Sequence, residues 1–223
     1  MPAYQVLADA LRARILTGEL SPGEKLPIEP DLSSEYGVSR STVREALRVL
    51  ASQNLITTTR GVCGGSFVAH PNPAQISGYL EASLRRLAQA DGVTVAELCE
   101  ARDMLEVPAA GMAAQRRSPG QLEELRDTLF EPGRTPPDKA IELSRTFHSV
   151  LMRSTGSSLV EVLIRPVFEV IYDHIIDYAA PLGFWADLEK DHDEIFAAVA
   201  AKDAAGAREA TREHLRKLRP ACA

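Results

Sequence analysis

Between Gly37 and Ile56 the chain reads GVSRSTVREALRVLASQNLI, and this stretch constrains the fold most. At helical spacing Val43, Ala46, Leu47 and Leu50 form one apolar stripe, while Arg40, Arg44 and Arg48 share the opposite face. Such a helix needs a core behind it and leaves a cationic front. Ser39 is a natural N-cap, which places Arg40 and Ser41 in the exposed first turn. Past Leu55 the period changes: LITTTRGVCGGSFVA alternates and is rich in Ile, Thr, Phe and Val around Gly61, Gly64 and Gly65, as in a β-hairpin with a glycine-rich tip.

The preceding segments complete the unit. Residues 4–18 carry Val6, Leu7, Ala10, Leu11 and Ile15 at helical spacing, with Gly18 as a stop. The turn region LSPGEKLP leads into a short second helix, EPDLSSEY, and Gly37 permits the left-handed turn between two crossing helices. Three helices and a hairpin predict a winged helix-turn-helix over residues 1–70. The proline-bearing stretch 71–77 reads as a linker. Residues 78–223 lose all strand signals and predict an all-α bundle, with helices near 74–90, 94–117, 119–129, 138–155, 158–179, 184–201 and 203–218. The fold class is therefore mostly α, a winged helix-turn-helix followed by a helical bundle.

Charge is distributed unevenly. The 223-residue chain has a net charge of −6, which argues against a nucleic-acid partner if averaged over all faces. Residues 1–35, however, hold three basic against six acidic side chains, and residues 36–70 hold four against one. A local basic surface thus sits on an acidic body that would help orient an approach to DNA. No apolar run nears the roughly 18 residues of a membrane span, and no charged-then-apolar leader follows Met1, so a cytoplasmic location without membrane contact is expected. Cys63, Cys99 and Cys222 are far apart with no CxxC spacing, which predicts reduced thiols.

A helix that enters a major groove needs arginines to pair with guanine O6 and N7, and small hydroxyl residues that let the backbone near phosphates. Ser39, Arg40, Ser41, Thr42 and Arg44 meet that description; a solvated cationic face is the alternative. Arg60 and Gly61 at the wing tip would reach the minor groove or a phosphate, unless they form a mere turn. In the bundle, His148, His192 and His214 each lie on the apolar stripe of a different helix. They are either three satisfied core histidines or three convergent ligands for a divalent transition metal, with one position left open.

Pro22-Gly23, Leu26-Pro27, Glu29, Leu32, Gly37-Val38-Ser39-Arg40, Thr42-Val43-Arg44-Glu45-Ala46-Leu47, Gly61, Gly64-Gly65 and Phe67-Val68 resemble the DNA-binding domain of the GntR family of bacterial transcriptional regulators. Pro30 departs from it: the family has an arginine there that contacts DNA. Residues 78–218 resemble the FCD ligand-binding domain of the FadR-type subfamily, on Glu100-Ala101-Arg102, Leu105-Glu106, Ala113-Ala114, Phe147-His148, Asp191-His192 and His214-Leu215.

The resemblance implies a homodimeric regulator, read here as a repressor. Its partners would be a near-palindromic double-stranded DNA operator and a small effector, an organic acid, bound in the helical domain, which also dimerises. It further implies a metal held by an Asp-x-x-x-His pair and two later histidines: zinc, or nickel or manganese. Ser144 stands where the aspartate is expected, which weakens such a site. Arg102, on the helix that in this family faces the effector cavity, and Ser144 are the candidate effector contacts; for Arg102 a salt bridge with Glu106 at i+4 is the alternative. Tyr172, His174 and Tyr178 could border the same cavity. Two other readings stay open: a metal-dependent hydrolase built on the three histidines, although no HExxH and no base beside them is evident, and a regulator that binds its effector without metal.

Overall fold

The structure, a computed structural model, describes residues 1–61, 64–131, 133–176 and 184–219, with backbone alone at 137, 173–176 and 184–186. Its contacts divide the chain into two units, Met1–Asn72 and Pro73–Ala223.

The first unit contains α1 (Ala3–Leu16), α2 (Glu29–Tyr36), α3 (Arg40–Ser52) and the strands β1 (Ile56–Thr59) and β2 (Gly65–Val68). Gly37 ends α2 at φ 64°, the left-handed region that a residue with a Cβ avoids. The Ser39 hydroxyl accepts from the Thr42 amide at 3.2 Å and caps α3. β1 and β2 pair antiparallel, with Ile56 opposite Val68 and Thr59 opposite Gly65. Leu7, Leu11, Leu32, Val43, Ala46, Leu50, Ile56 and Val68 close a single core.

Two details differ from the sequence expectation. Val6 is exposed and Ala8 is buried in its stead, because the inward stripe of α1 runs 4, 7, 8, 11, 15. Residues 23–26, expected as a turn, run along β2: the Val68 amide donates to the Glu24 carbonyl (2.8 Å), and the Leu26 amide to the Ser66 carbonyl (2.9 Å). The free edge of β2 supplies backbone partners that periodicity along the chain cannot reveal.

The second unit is all-helical: α4 (Pro73–Gln89), α5 (Val95–Arg116), α6 (Pro119–Arg126), α7 (Pro137–Arg153), α8 (Ser158–Ile176), α9 (Phe184–Ala200) and α10 (Ala204–Leu218). The stretch 71–77, expected as a linker, is helical from Pro73, whose fixed φ suits a first helical position. Thr94 and Glu97 form a reciprocal capping box at the start of α5, and Ser118 and Gln121 do so for α6. Ala109, Ala110, Gly111, Ala113 and Ala114 give α5 a buried face of small side chains against which α10 packs. A Cβ on Gly111 would lie 3.1 Å from the Ala204 carbonyl and 2.5 Å from Arg208 Nη1, so Arg208 would have to swing aside and α10 give by a few tenths of an ångström to admit one.

Cys99 is disulfide-bonded rather than a reduced thiol. Spacing along the chain says little about distance in space, which is what decides such a bond. Cys63 and Cys222 lie outside the described residues. Among the described residues no helix is long and apolar enough to cross a membrane.

Leu50 is fully buried and Val6 is 54% exposed. Leu50→Ala should therefore destabilise the first unit by about 2–5 kcal/mol, and Val6→Ala by about 0.5 kcal/mol or less. Hydrogen exchange of the core amides in residues 1–72 checks the difference; equal losses would contradict this packing.

Candidate functional site

Two groups of side chains stand out, one in each unit. On α3, Ser39, Arg40, Ser41, Arg44 and Arg48 are exposed and Thr42 is half-buried, above the buried stripe of Val43, Ala46 and Leu50. The Ser39 hydroxyl lies 2.8 Å from those of both Ser41 and Thr42, which orders the hydroxyl cluster at the helix start. Arg44 Nε pairs with Glu29 of α2 at 3.1 Å, and Arg48 with Glu45 at 3.0 Å. Exposed pairs of this kind are worth about 0–1 kcal/mol, so either guanidinium is readily released to a stronger acceptor. Pro30 sits in the first turn of α2, where its ring fits the helix start. Arg60 and Gly61 follow β1, both exposed, with Gly61 at φ 111°. A Cβ on Gly64 would meet the Thr59 carbonyl at 2.5 Å, so the tip closes only with glycine there.

In the second unit α7, α9 and α10 bring His148, His192 and His214 together at 2%, 0% and 0% exposure. One nitrogen from each ring lies within 4.8 Å of the other two. His148 Nε2 and His214 Nε2 are 3.2 Å apart. Phe147 stacks on His192 with ring centroids 4.3 Å apart, and Phe168 leans on His148 at 5.2 Å.

Behind each ring stands a buried carboxylate. Glu106 is 3.1 Å from His148 Nδ1, Asp191 is 3.5 Å from His214 Nδ1, and Glu189 is 3.7 Å from His192 Nδ1. These are ion-pair distances without hydrogen-bond alignment, and all three Nδ1 atoms lack a hydrogen-bond partner among the described residues, as does His192 Nε2.

Two of the carboxylates are also tied elsewhere by charge. Glu106 makes a close buried pair with Arg102, and Asp191 accepts from Lys217 Nζ at 2.5 Å. Arg102 therefore forms the internal salt bridge that its i+4 spacing allows, lies over the Phe168 ring at 5.0 Å, and reaches within 3.4 Å of His148 Nε2. Ser144 is buried one turn before His148. Tyr172 is buried and donates to the Ile141 carbonyl at 2.6 Å. The His174 side chain and Tyr178 lie outside the described residues.

Burial sets the protonation states. It pushes His148 down to about 4, opposed by Glu106 and aided by the Arg102 guanidinium and the neighbouring His192 ring. It pushes His214 down to about 3, aided by the neighbouring histidines and Arg102 and opposed by Asp191. For Glu106 burial acts upward, but Arg102 and His148 outweigh it and hold the carboxyl at about 2. At neutral pH both imidazoles are neutral, the form that carries a free lone pair, and Glu106 is charged.

From spacing alone Glu106 is only a partner for Arg102, and no motif in the sequence singles out Glu189. Glu189 lies three residues before His192 on one helix, a spacing that could have flagged it. The meeting of Asp191 with His214 is between helices and leaves no trace in spacing. Between α7 and α8 a small pocket of about 20 Å³, room for roughly one water molecule, reaches His148 past Arg165, Glu169 and Phe168.

Residues 3–68 match the bacterial regulatory proteins of the gntR family, and residues 97–217 match the FCD domain. Over 208 residues the chain is 31% identical to the HTH-type transcriptional regulator LutR of Bacillus subtilis (strain 168), covering 90% of this chain and 92% of that protein. It is 26% identical over 229 residues to the Uxu operon transcriptional regulator of Escherichia coli (strain K12), covering 97% and 85%. The solved structure of Streptococcus agalactiae GntR superposes with a TM-score of 0.64 at 25% identity, over 97% of this chain and 99% of that one. These relatives carry names of regulators, which removes the ground for reading the three histidines as a hydrolase. With one domain matched at each end and relatives aligned along nearly its whole length, the chain belongs to the GntR family of bacterial regulators with an FCD domain, and is a DNA-binding transcriptional regulator rather than an enzyme.

Proposed function

We propose that the protein is a homodimeric repressor that binds a near-palindromic operator through Ser39, Arg40, Ser41, Thr42, Arg44, Arg60 and Gly61. An organic acid, bound at a divalent metal held by His148, His192 and His214, lowers its affinity for DNA. The observation that carries the reading is the joining of an exposed arginine and hydroxyl surface on α3 to a buried three-histidine centre in one chain. A two-fold dimer presents two such helices to a two-fold operator, one per half-site. Tyr79 of α4 and Met104 of α5, each 73% exposed, give the second unit apolar surface that a second copy would cover.

The donor set suits a metal ion. Two imidazole nitrogens at the 2.0–2.1 Å usual for zinc stand about 3.3 Å apart in a tetrahedral site, and His148 Nε2 and His214 Nε2 are 3.2 Å apart. The buried His192 Nε2, without a hydrogen-bond partner, supplies the third donor. Zinc fits best, with nickel or manganese as alternatives, and Ser144 in place of a carboxylate leaves the ion more weakly held. A bound ion would supply a Lewis acid for one end of a carboxylate. Arg102 is then placed to hold the effector, and Ser144 borders it. Effector and operator are coupled by about 1–3 kcal/mol, as in other allosteric proteins.

A metal-free version is favoured by one observation, the Arg102 guanidinium at 3.4 Å from His148 Nε2, which places a cation where an anion could bind directly. Elemental analysis of protein purified without chelator or affinity tag decides between the two.

Arg40→Ala or Arg44→Ala should weaken binding to the region upstream of the protein's own gene by about 1–3 kcal/mol, roughly 5- to 150-fold. A gel shift with no loss would overturn the DNA-reading assignment. Ser144→Asp should tighten divalent metal binding and His148→Ala should abolish it, both measured by calorimetry. Unchanged affinity in both variants would rule out convergence of the histidines on one ion.

A further inference from the structure

The three carboxylates behind the histidines are not equivalent. Glu106 is compensated by Arg102 and Asp191 by Lys217. Glu189, 3% exposed on α9, has one oxygen engaged with the backbone: its Oε1 accepts from the Phe130 amide, in the segment between α6 and α7, at 2.7 Å. Its Oε2 has no hydrogen-bond partner among the described residues, and neither has His192 Nδ1, 3.7 Å away. Two buried polar atoms of opposite hydrogen-bonding character thus face each other about an ångström too far apart to bond, and a small rotation of either side chain closes the gap. A ligating imidazole generally donates its other N–H to such a carboxylate, which fixes the tautomer and the ring orientation.

We propose that Glu189 is the positioning residue of the histidine centre. When an ion takes the lone pair of His192 Nε2, His192 Nδ1–H donates to Glu189 Oε2, and the carboxylate, now held at both oxygens, loses its freedom to rotate away from the Phe130 amide. Occupancy of the centre is thereby transmitted to the α6–α7 segment. This rests on the metal reading above and adds to it a residue and a route.

Glu189→Gln separates positioning from packing. The Gln carbonyl oxygen still accepts from Phe130, but its NH2 group cannot accept from His192 Nδ1–H. Titration of the full-length protein with zinc ions against a competing chelator should show about 10- to 100-fold weaker binding in Glu189→Gln. Glu194→Gln, an exposed position on the same helix, should bind as the wild type does, and thermal unfolding of the metal-free Glu189→Gln protein should match the wild type. In the wild-type protein, zinc should slow hydrogen exchange at the Phe130 amide, and in Glu189→Gln it should not. Equal zinc affinity in the two proteins, or wild-type Phe130 exchange unaffected by bound zinc, overturns the proposal; the second measurement needs no variant. A wild-type protein that fails to bind zinc, nickel or manganese at all instead overturns the metal reading on which it rests.

Discussion

The helical domain is organised around the burial of three imidazoles at one point. A histidine taken out of water resists protonation, and three together resist it more strongly, which is why His148 and His214 are held so far below their ordinary range. Neutral rings still carry donors and acceptors that burial leaves without water, and the bundle answers with one carboxylate per ring. Those carboxylates must in turn be compensated. Arg102 and Lys217 do this for Glu106 and Asp191, and the Phe130 amide engages Glu189. A centre a few ångströms across thereby fixes side chains on α5, α7, α9 and α10 and the segment before α7.

Close helix approach makes this possible. The small residues of α5 around Gly111 admit α10 at backbone distance, and α10 carries His214 and Lys217. That seam meets α10 near its start, at Ala204 and Arg208, and sets how closely α5, which carries Arg102 and Glu106, runs beside the helix that carries His214.

Much of the fold was legible in the sequence. The period of α3, its Ser39 cap, the left-handed Gly37 and the glycine-rich hairpin are local signals, set by interactions within a few residues. What escaped is non-local: residues 23–26 along β2, the disulfide of Cys99, and the meeting of Asp191 with His214 depend on which segments become neighbours. The candidate site divides the same way. Histidines on apolar stripes were visible one helix at a time, but that their rings meet, and that a carboxylate backs each one, is a property of packing. Arg102 shows the limit most clearly, since an i+4 spacing to Glu106 allows a salt bridge on any helix face and only burial shows that this one lies inside.

Ser144 bears on how such a centre would work. An aspartate there would cancel one unit of a divalent ion's charge and fill one of its coordination positions. Held by three imidazoles, an ion would keep an open position, and its charge would be offset only from behind the rings, by Glu106, Asp191 and Glu189, of which the first two are already paired with Arg102 and Lys217. A carboxylate effector would then serve as the missing anionic ligand. Ion and effector would then each bind more tightly in the presence of the other, and linkage requires the two effects to be equal. The substitution that weakens the metal site in isolation would thus convert a resident ion into one whose retention depends on the effector.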